Sequence, residues 1–202
     1  MNPNPVKKMS PEEFLAFERA SDIRHEYIGG QIIAMSGARR NHNVIAANLC
    51  TEISNNIEDK NCEIYVADMR VFLPETSEYA YPDITVVCGE PVFQDDVLDT
   101  LLNPVVIIEV LSDSTEAYDR GLKFRLYRSI KTLREYILVS PNQPRIEKYV
   151  LHGDGFWMLS ETVGLDSALA LESINAKIPL SKIYRKITFE DSDEPIIRPL
   201  EQ

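Results

Sequence analysis

The stretch VVIIEVL, Val105 to Leu111, is apolar at every position but one. Read as a strand, its side chains alternate between two faces. Val105, Ile107, Glu109 and Leu111 share one face; Val106, Ile108 and Val110 share the other. Both faces are apolar, which demands a central strand covered on both sides. A carboxylate at Glu109 is then costly unless it is paired, protonated or bound to a metal ion.

The same conflict recurs a few residues on. DRGLKFRLY, Asp119 to Tyr127, continued to Ile130, reads as a helix. On a wheel at ~100° per residue, Leu122, Leu126, Tyr127 and Ile130 fall on one side. Arg120, Arg125 and Arg128 fall elsewhere, and Phe124 projects outward. Asp119 and Lys123 sit inside the apolar stripe. Two neighbouring elements thus aim charge at the core. The simplest single explanation is that these charges meet one another, or meet one cation.

The remaining elements frame this pair. Ser10-Pro11-Glu12-Glu13 is a helix start, with a capping box and Pro at the first helical position. Arg24 to Ile28 and Gln31 to Ser36 flank Gly29-Gly30, a two-glycine hairpin signal. Asn41 can cap a second helix running to about Ile57, whose stripe of Ile45, Ala46, Leu49, Cys50, Ile53 and Ile57 also carries His42. Strand-like runs follow at Cys62 to Leu73, with a break near Ala67-Asp68, and at Asp83 to Cys88. The Pro-containing segments Leu73 to Pro82 and Gly89 to Pro104 read as loops. Asp113 with Glu116 resembles a capping box for the Asp119 helix. Glu135 to Ser140 is another strand. Ile146 to Leu151 and Phe156 to Ser160 form an additional hairpin around Gly-Asp-Gly, and an apolar stretch from Leu169 to Ile187 closes the chain. A helix between two late strands implies a crossover and a mixed sheet.

The chain of 202 residues suits a single domain spanning 1–202. No apolar run approaches the roughly 20 residues that cross a bilayer, and MNPNPVKKMSPEEF lacks the apolar core of a signal peptide, so no membrane association and a cytoplasmic location are expected. Cys50, Cys62 and Cys88 are odd in number, scattered and in apolar contexts, which points to buried free thiols. A net charge of -11 excludes a protein that coats nucleic acid over its whole surface. The charge is uneven, however. Six of the 21 basic residues lie between Arg120 and Arg134, Arg39 and Arg40 make a second basic spot, and acid gathers at Glu190, Asp191, Asp193 and Glu194.

Asp83 opens one strand and Glu109 lies inside the next. Two acid oxygens with a backbone carbonyl and water suit Mg²⁺ or Mn²⁺. A lysine beside such a site can orient the attacking water or neutralise charge on a phosphate oxygen. Structural roles compete with these. Asp119 and Lys123 at i,i+4 can simply pair, His42 can be a satisfied core histidine, and Glu26, before the double-glycine turn, has little to mark it.

YPDITVV, VVIIEVLSDSTEAYDRGLKFRLYRS and REYILVS together resemble the PD-(D/E)XK nuclease superfamily. The similarity is greatest to a restriction-endonuclease-like group catalogued as a domain of unknown function and abundant in photosynthetic bacteria. HEYIGGQIIAMSG, NHNVIAANL and IPLSKIY resemble the same group, so the likeness covers nearly the whole chain. It implies a mixed α+β, restriction-endonuclease-like core: a central mixed sheet flanked by helices, with an extra N-terminal helix and hairpin and a C-terminal hairpin. It implies Asp83 and Glu109 as metal ligands, with the Val110 carbonyl as a third. The lysine usually two residues after the acid is Leu111 here. Members in which the basic residue has moved to the following helix make Lys123 its replacement, with Tyr127 one turn along and Asp119, His42 and Glu26 in support.

The expected activity is a Mg²⁺-dependent DNA endonuclease, with Arg120, Arg125, Arg128, Arg39 and Arg40 contacting phosphates. A homodimer, built in part on Phe124, would suit double-strand cleavage. The alternative is a catalytically inactive nuclease-fold protein that binds nucleic acid or a protein partner. A phosphatase or a nuclease acting on RNA would share the site.

Overall fold

The computed structural model describes residues 9–35 and 37–189. The acidic run at Glu190 to Glu194 and the end of the second hairpin strand at Ser36 lie outside them. Helix α1 (Pro11–Arg19) begins as its sequence dictates. Ser10 accepts a hydrogen bond from the Glu13 backbone and Glu13 reaches back to the Ser10 N–H. Strands β1 (His25–Ile28) and β2 (Gln31–Ala34) pair antiparallel from Ile28↔Gln31. Gly29 and Gly30, at φ 62° and 76°, make the turn between them, a left-handed conformation that glycine adopts without penalty. Helix α2 (Arg40–Ile57) packs Ile45, Leu49 and Ile53 inward. Its N-cap is Arg39, which gives no side-chain cap; Asn41, expected at that position, already lies within the helix.

Six strands form the central sheet. They are β3 (Cys62–Val66), β6 (Ile84–Cys88), β8 (Val106–Val110), β9 (Glu135–Val139), β10 (Arg145–Leu151) and β11 (Trp157–Val163), in the order β11-β10-β9-β8-β6-β3. Only β8 and β9 pair in parallel; the other neighbours are antiparallel, so the sheet is mixed. The hairpin read as an appendage extends this sheet, because β10 pairs with β9 over five residues from Ile146↔Val139 to Val150↔Glu135.

β8 is buried at every position and separates two cores. Val106, Ile108 and Val110 face α2 and the C-terminal elements, which are β12 (Ala168–Leu171), β13 (Ala176–Pro179) and a last short helix. Ile107 and Leu111 face a second core that includes Val71, Leu73 and Leu101. Those three belong to a second sheet, ordered β2-β1-β5-β4-β7, that the sequence pattern does not announce. Its strands β4 (Arg70–Leu73), β5 (Glu78–Ala80) and β7 (Thr100–Leu101) are four residues or fewer. The last two occupy segments read as loops, because runs this short carry no legible alternation.

The crossover from β8 to β9 departs from a regular helix. It comprises α3 (Glu116–Tyr118), a π-helical turn at Asp119–Lys123 and α4 (Phe124–Tyr127). A π turn accommodates one extra residue, so a wheel drawn at 3.6 residues per turn loses phase across it. Leu122 is therefore 37% exposed, while Phe124, expected to project outward, is 9% exposed and stacks on Tyr136 at 5.0 Å. Asp113 does not cap this segment; the preceding cap position is Thr115, and Ser112 accepts from the Glu116 N–H through its carbonyl.

The cysteines also correct an expectation. Cys62 and Cys88 are direct partners on β3 and β6 and form a disulfide, leaving Cys50 as the free thiol. Sequence separation concealed the pairing; antiparallel register creates it.

Candidate active site

Asp83 and Glu109 meet where the β6–β8 ladder ends. The last register pair toward this end is Ile84↔Ile108. One residue further, side chains take over the main-chain pairing. The Val110 N–H donates to Asp83 Oδ2 at 2.7 Å, and the Asp83 N–H donates to Glu109 Oε2 at 3.3 Å. The two acids thus converge across adjacent strands, and no described residue donates to Asp83 Oδ1.

His42, in the first turn of α2, reaches the same place. Its Nε2 lies 3.0 Å from Asp83 Oδ2, while its buried Nδ1 has no hydrogen-bond partner among the described residues. The Asp83 carboxylate is an acceptor, so the proton sits on Nε2. Burial disfavours the charged ring, but the Asp83 hydrogen bond and charge outweigh it and raise the His42 pKa above its ordinary value. Asn41, one residue earlier, donates to the Pro141 carbonyl at 3.4 Å and ties this end of α2 to the loop after β9.

On the opposite side of Glu109 the π turn delivers Lys123. Its ammonium is 2.9 Å from Glu109 Oε1, 3.0 Å from Glu26 Oε1 and 3.7 Å from Asp119 Oδ1. The Tyr127 hydroxyl donates to Glu109 Oε1 at 3.0 Å. Glu26 is held in turn by the Tyr81 N–H at 3.2 Å and the Tyr118 hydroxyl at 3.1 Å. Tyr118 was not anticipated. Its contact with Glu26 is 92 residues distant in sequence. Tyr81 continues into a second buried network: its hydroxyl donates to Glu18 and accepts from Arg70. Pro82 alone separates Tyr81 from Asp83, so this network fixes the approach to the site.

Four carboxylates, those of Asp83, Glu109, Glu26 and Asp119, therefore face two cationic groups, Lys123 and His42. Burial pushes Glu109 up to about 8, against the pull of Lys123, and burial also raises Asp119. For Lys123, burial acts downward but Glu109, Glu26 and Asp119 prevail, holding its pKa well above the usual lysine value. Lys123 is an ammonium at neutral pH. A divalent cation that took the place of the Glu109 proton would find hard oxygen donors of the kind that suit Mg²⁺. Among the described residues no three His, Cys, Asp or Glu side chains form a ready ligand cluster. The fit instead involves two acids and one main-chain carbonyl.

A family model described as "Putative restriction endonuclease" (Uma2) matches residues 11–181. The chain belongs to the Uma2 family. Two relatives from Synechocystis are each 39% identical. "Uncharacterized protein slr1290" aligns over 92% of this chain and 96% of its own length. "Uncharacterized protein sll1609" aligns over 79% and 90%. A solved structure titled as a putative nuclease belonging to DUF820, from Anabaena variabilis, superposes with a TM-score of 0.71. It is 16% identical and covers 87% of this chain and 97% of its own, so the two share a fold.

The arginines of this Uma2 chain are not equally available. Arg120 is held by Glu116 at 2.8 Å and by Glu147, and Arg39 pairs with Asp113 at 3.1 Å. Arg120 was expected to be open to phosphate and is not; the Arg39 pair is exposed and leaves its guanidinium accessible. Arg40 donates to Asn41 and to the Lys186 carbonyl. Arg125 and Arg128 are exposed and have no acidic partner among the described residues; Arg128 lies over the Phe124 ring at 5.2 Å. No described helix is long and apolar enough to cross a membrane.

Proposed function

We propose that the chain is a divalent-cation-dependent nuclease that hydrolyses DNA phosphodiester bonds. The observation that carries this reading is the convergence of Asp83 and Glu109 beside a buried ammonium, in a member of a family described as "Putative restriction endonuclease". Asp83, Glu109 and the Val110 carbonyl would hold Mg²⁺ or Mn²⁺. When bound, the ion would activate a water and polarise the phosphate. Asp83 has an unengaged oxygen to offer, and His42 is the group that a cation would displace from Asp83.

Lys123 has a defined part in this scheme. An ammonium held well above its usual pKa does not accept a proton from water. It would donate to a non-bridging phosphate oxygen and offset the charge that develops there. Glu26 and Asp119 keep it charged and directed, and Tyr127 fixes the Glu109 carboxylate that it shares. Arg125 and Arg128 would contact backbone phosphates, which position DNA without reading its sequence. Assembly as a homodimer in the cytoplasm completes the proposal.

The experiment is calorimetric titration of Mn²⁺ into the wild type, Asp83→Asn and Glu109→Gln, beside plasmid cleavage in Mg²⁺. Binding and cleavage lost in both variants support the reading. Wild-type protein that binds no cation removes it.

A second reading has one observation in its favour. Leu111 occupies the usual lysine position, while Lys123 and Tyr127 already engage Glu109 Oε1. An inactive nuclease-fold protein that binds nucleic acid or a protein partner is consistent with so well-satisfied a carboxylate. It predicts DNA retention with no cleavage of plasmid, single-stranded DNA, RNA or an aryl phosphate in any divalent cation.

A further inference from the structure

A DNA strand that approaches Asp83 and Glu109 meets a body of net charge -11 and, at the site itself, four carboxylates. At physiological salt, exposed charges act over about 8 Å. The cations that offset this repulsion must therefore lie beside the acids. Arg19, Arg70, Arg120, Arg145 and Lys148 are each committed to a carboxylate. Arg125 and Arg128 lie where the crossover descends to the far end of β8, at which the Thr132 hydroxyl donates to the Pro104 carbonyl at 2.8 Å. They meet DNA only at a distance from the acids.

Another group of cations stands at the Glu109 end. Arg40 begins α2, two residues before His42, whose ring contacts Asp83. The Arg40 guanidinium donates to the Lys186 carbonyl at 3.1 Å. Asn48, further along α2, donates to the carbonyls of Ile183 and Arg185, each at 2.9 Å. These bonds lay the chain from Ile183 to Lys186 along α2 toward its first turn. Arg185 and Lys186 thus arrive at the end of the helix that carries His42. Lys186 holds φ 67°, a left-handed conformation that glycine adopts freely and a lysine only at a cost. The main chain bends there, with the Ile187 N–H donating to the Tyr184 carbonyl at 3.0 Å.

Arg40, Arg185 and Lys186 are exposed, and none pairs with an acid among the described residues. Arg39 adds an exposed guanidinium whose pair with Asp113 is readily exchanged. Arg40 and Asn48 stand about 12 Å apart along the helix axis. The cations are therefore strung out along α2 rather than gathered on one point. Such spacing fits a chain of repeated negative charges, not a single small anion.

We propose that Arg40, Arg185 and Lys186, with Arg39, form the track that carries the phosphodiester backbone beside the scissile bond. Contacts of this kind fix the position of a strand and read no sequence. The inference takes its substrate from the nuclease reading, but it concerns binding and is tested without cleavage.

The test is fluorescence anisotropy of a short labelled DNA duplex with the full chain, in EDTA, over a series of KCl concentrations. Arg185→Ala/Lys186→Ala should raise Kd about tenfold and reduce the slope of log K against log salt by about 2, one unit per lost phosphate contact. Lys131→Ala/Arg134→Ala removes the same charge at the far end of β8, where the Arg134 N–H meets the Val105 carbonyl, and should leave the slope unchanged. A wild type with no salt-dependent binding overturns the track. So does an unchanged slope in the first variant, or an equal loss in both, whether or not the wild type cuts DNA. The expected loss in a protein that cleaves no nucleic acid in any divalent cation keeps the track and rejects the nuclease reading.

Discussion

Asp83 and Glu109 each accept a hydrogen bond from the main chain beside the other: Asp83 from the Val110 N–H, Glu109 from the N–H of Asp83 itself. The clasp replaces the ladder pair that would follow Ile84↔Ile108. It holds two acids together without a lysine or arginine on Asp83, and it makes Asp83 both a structural acceptor and a candidate ligand.

Truncation and charge removal at Asp83 should therefore differ. Asp83→Ala leaves the Val110 N–H without its partner, a cost of about 1–3 kcal/mol. Asp83→Asn keeps an acceptor and relieves repulsion among four acids, so its melting temperature should equal or exceed the wild type. Both should lose Mn²⁺ binding in calorimetry. Equal melting of the two variants would show that the clasp contributes nothing.

Lys123→Met should be severely destabilising, by about 3–5 kcal/mol, because three buried carboxylates lose their shared cation. Urea denaturation measures the loss. Adding Glu26→Gln should recover part of it, since one stranded charge is removed; a double variant less stable than Lys123→Met contradicts the cluster.

Glu109 makes stability depend on pH. Its folded pKa of about 8 lies above the ordinary glutamate value of 4.5, so the neutral carboxyl is the form the fold favours. The contribution is fully present below the unfolded pKa and is lost as pH rises through about 8. Thermal melts of Glu109→Gln relative to wild type should thus move in the variant's favour between about pH 5 and pH 9. A difference independent of pH would mean that the carboxyl ionises alike in both states.

The bridge between Cys62 and Cys88 joins residues 26 apart. Constraining a loop of that length in the unfolded chain should contribute about 3 kcal/mol. Reduction with dithiothreitol, or Cys62→Ser/Cys88→Ser, should lower the urea midpoint accordingly, while Cys50→Ser should not.

Phe124 is the clearest case of a position that the linear pattern misassigns. Phe124→Ala should cost about 3–5 kcal/mol, because the ring stacks against Tyr136 and meets Tyr149 and Trp157. A loss below about 1 kcal/mol would restore it to the surface.

Local rules were readable where local chemistry decides the outcome. The Ser10 capping box, the Gly29-Gly30 turn and the alternation around Glu109 all rest on neighbours within a few residues. The meeting of Asp83, Glu109 and Lys123 was also legible, because a charge in an apolar pattern announces a partner. Their surroundings were not. Glu26 and Tyr118 enter through contacts made by the tertiary fold, the Cys62–Cys88 bond depends on strand register, and the second sheet is built from strands too short to show a period. Arg120 looks available in sequence because Glu147 becomes its neighbour only on folding.

The widened turn at Asp119–Lys123 lets a single element satisfy two surfaces that an unbroken spiral could not serve together. Asp119 and Lys123 address the acids, while Phe124 and Tyr127 address the aromatic core, and the extra residue sets the angular offset between them. Deleting Gly121, whose absent side chain touches nothing, would erase that offset. The aromatic anchors and the ammonium would then compete for one orientation, and a shortening by one glycine would disrupt the acidic cluster more than many bulkier substitutions nearby.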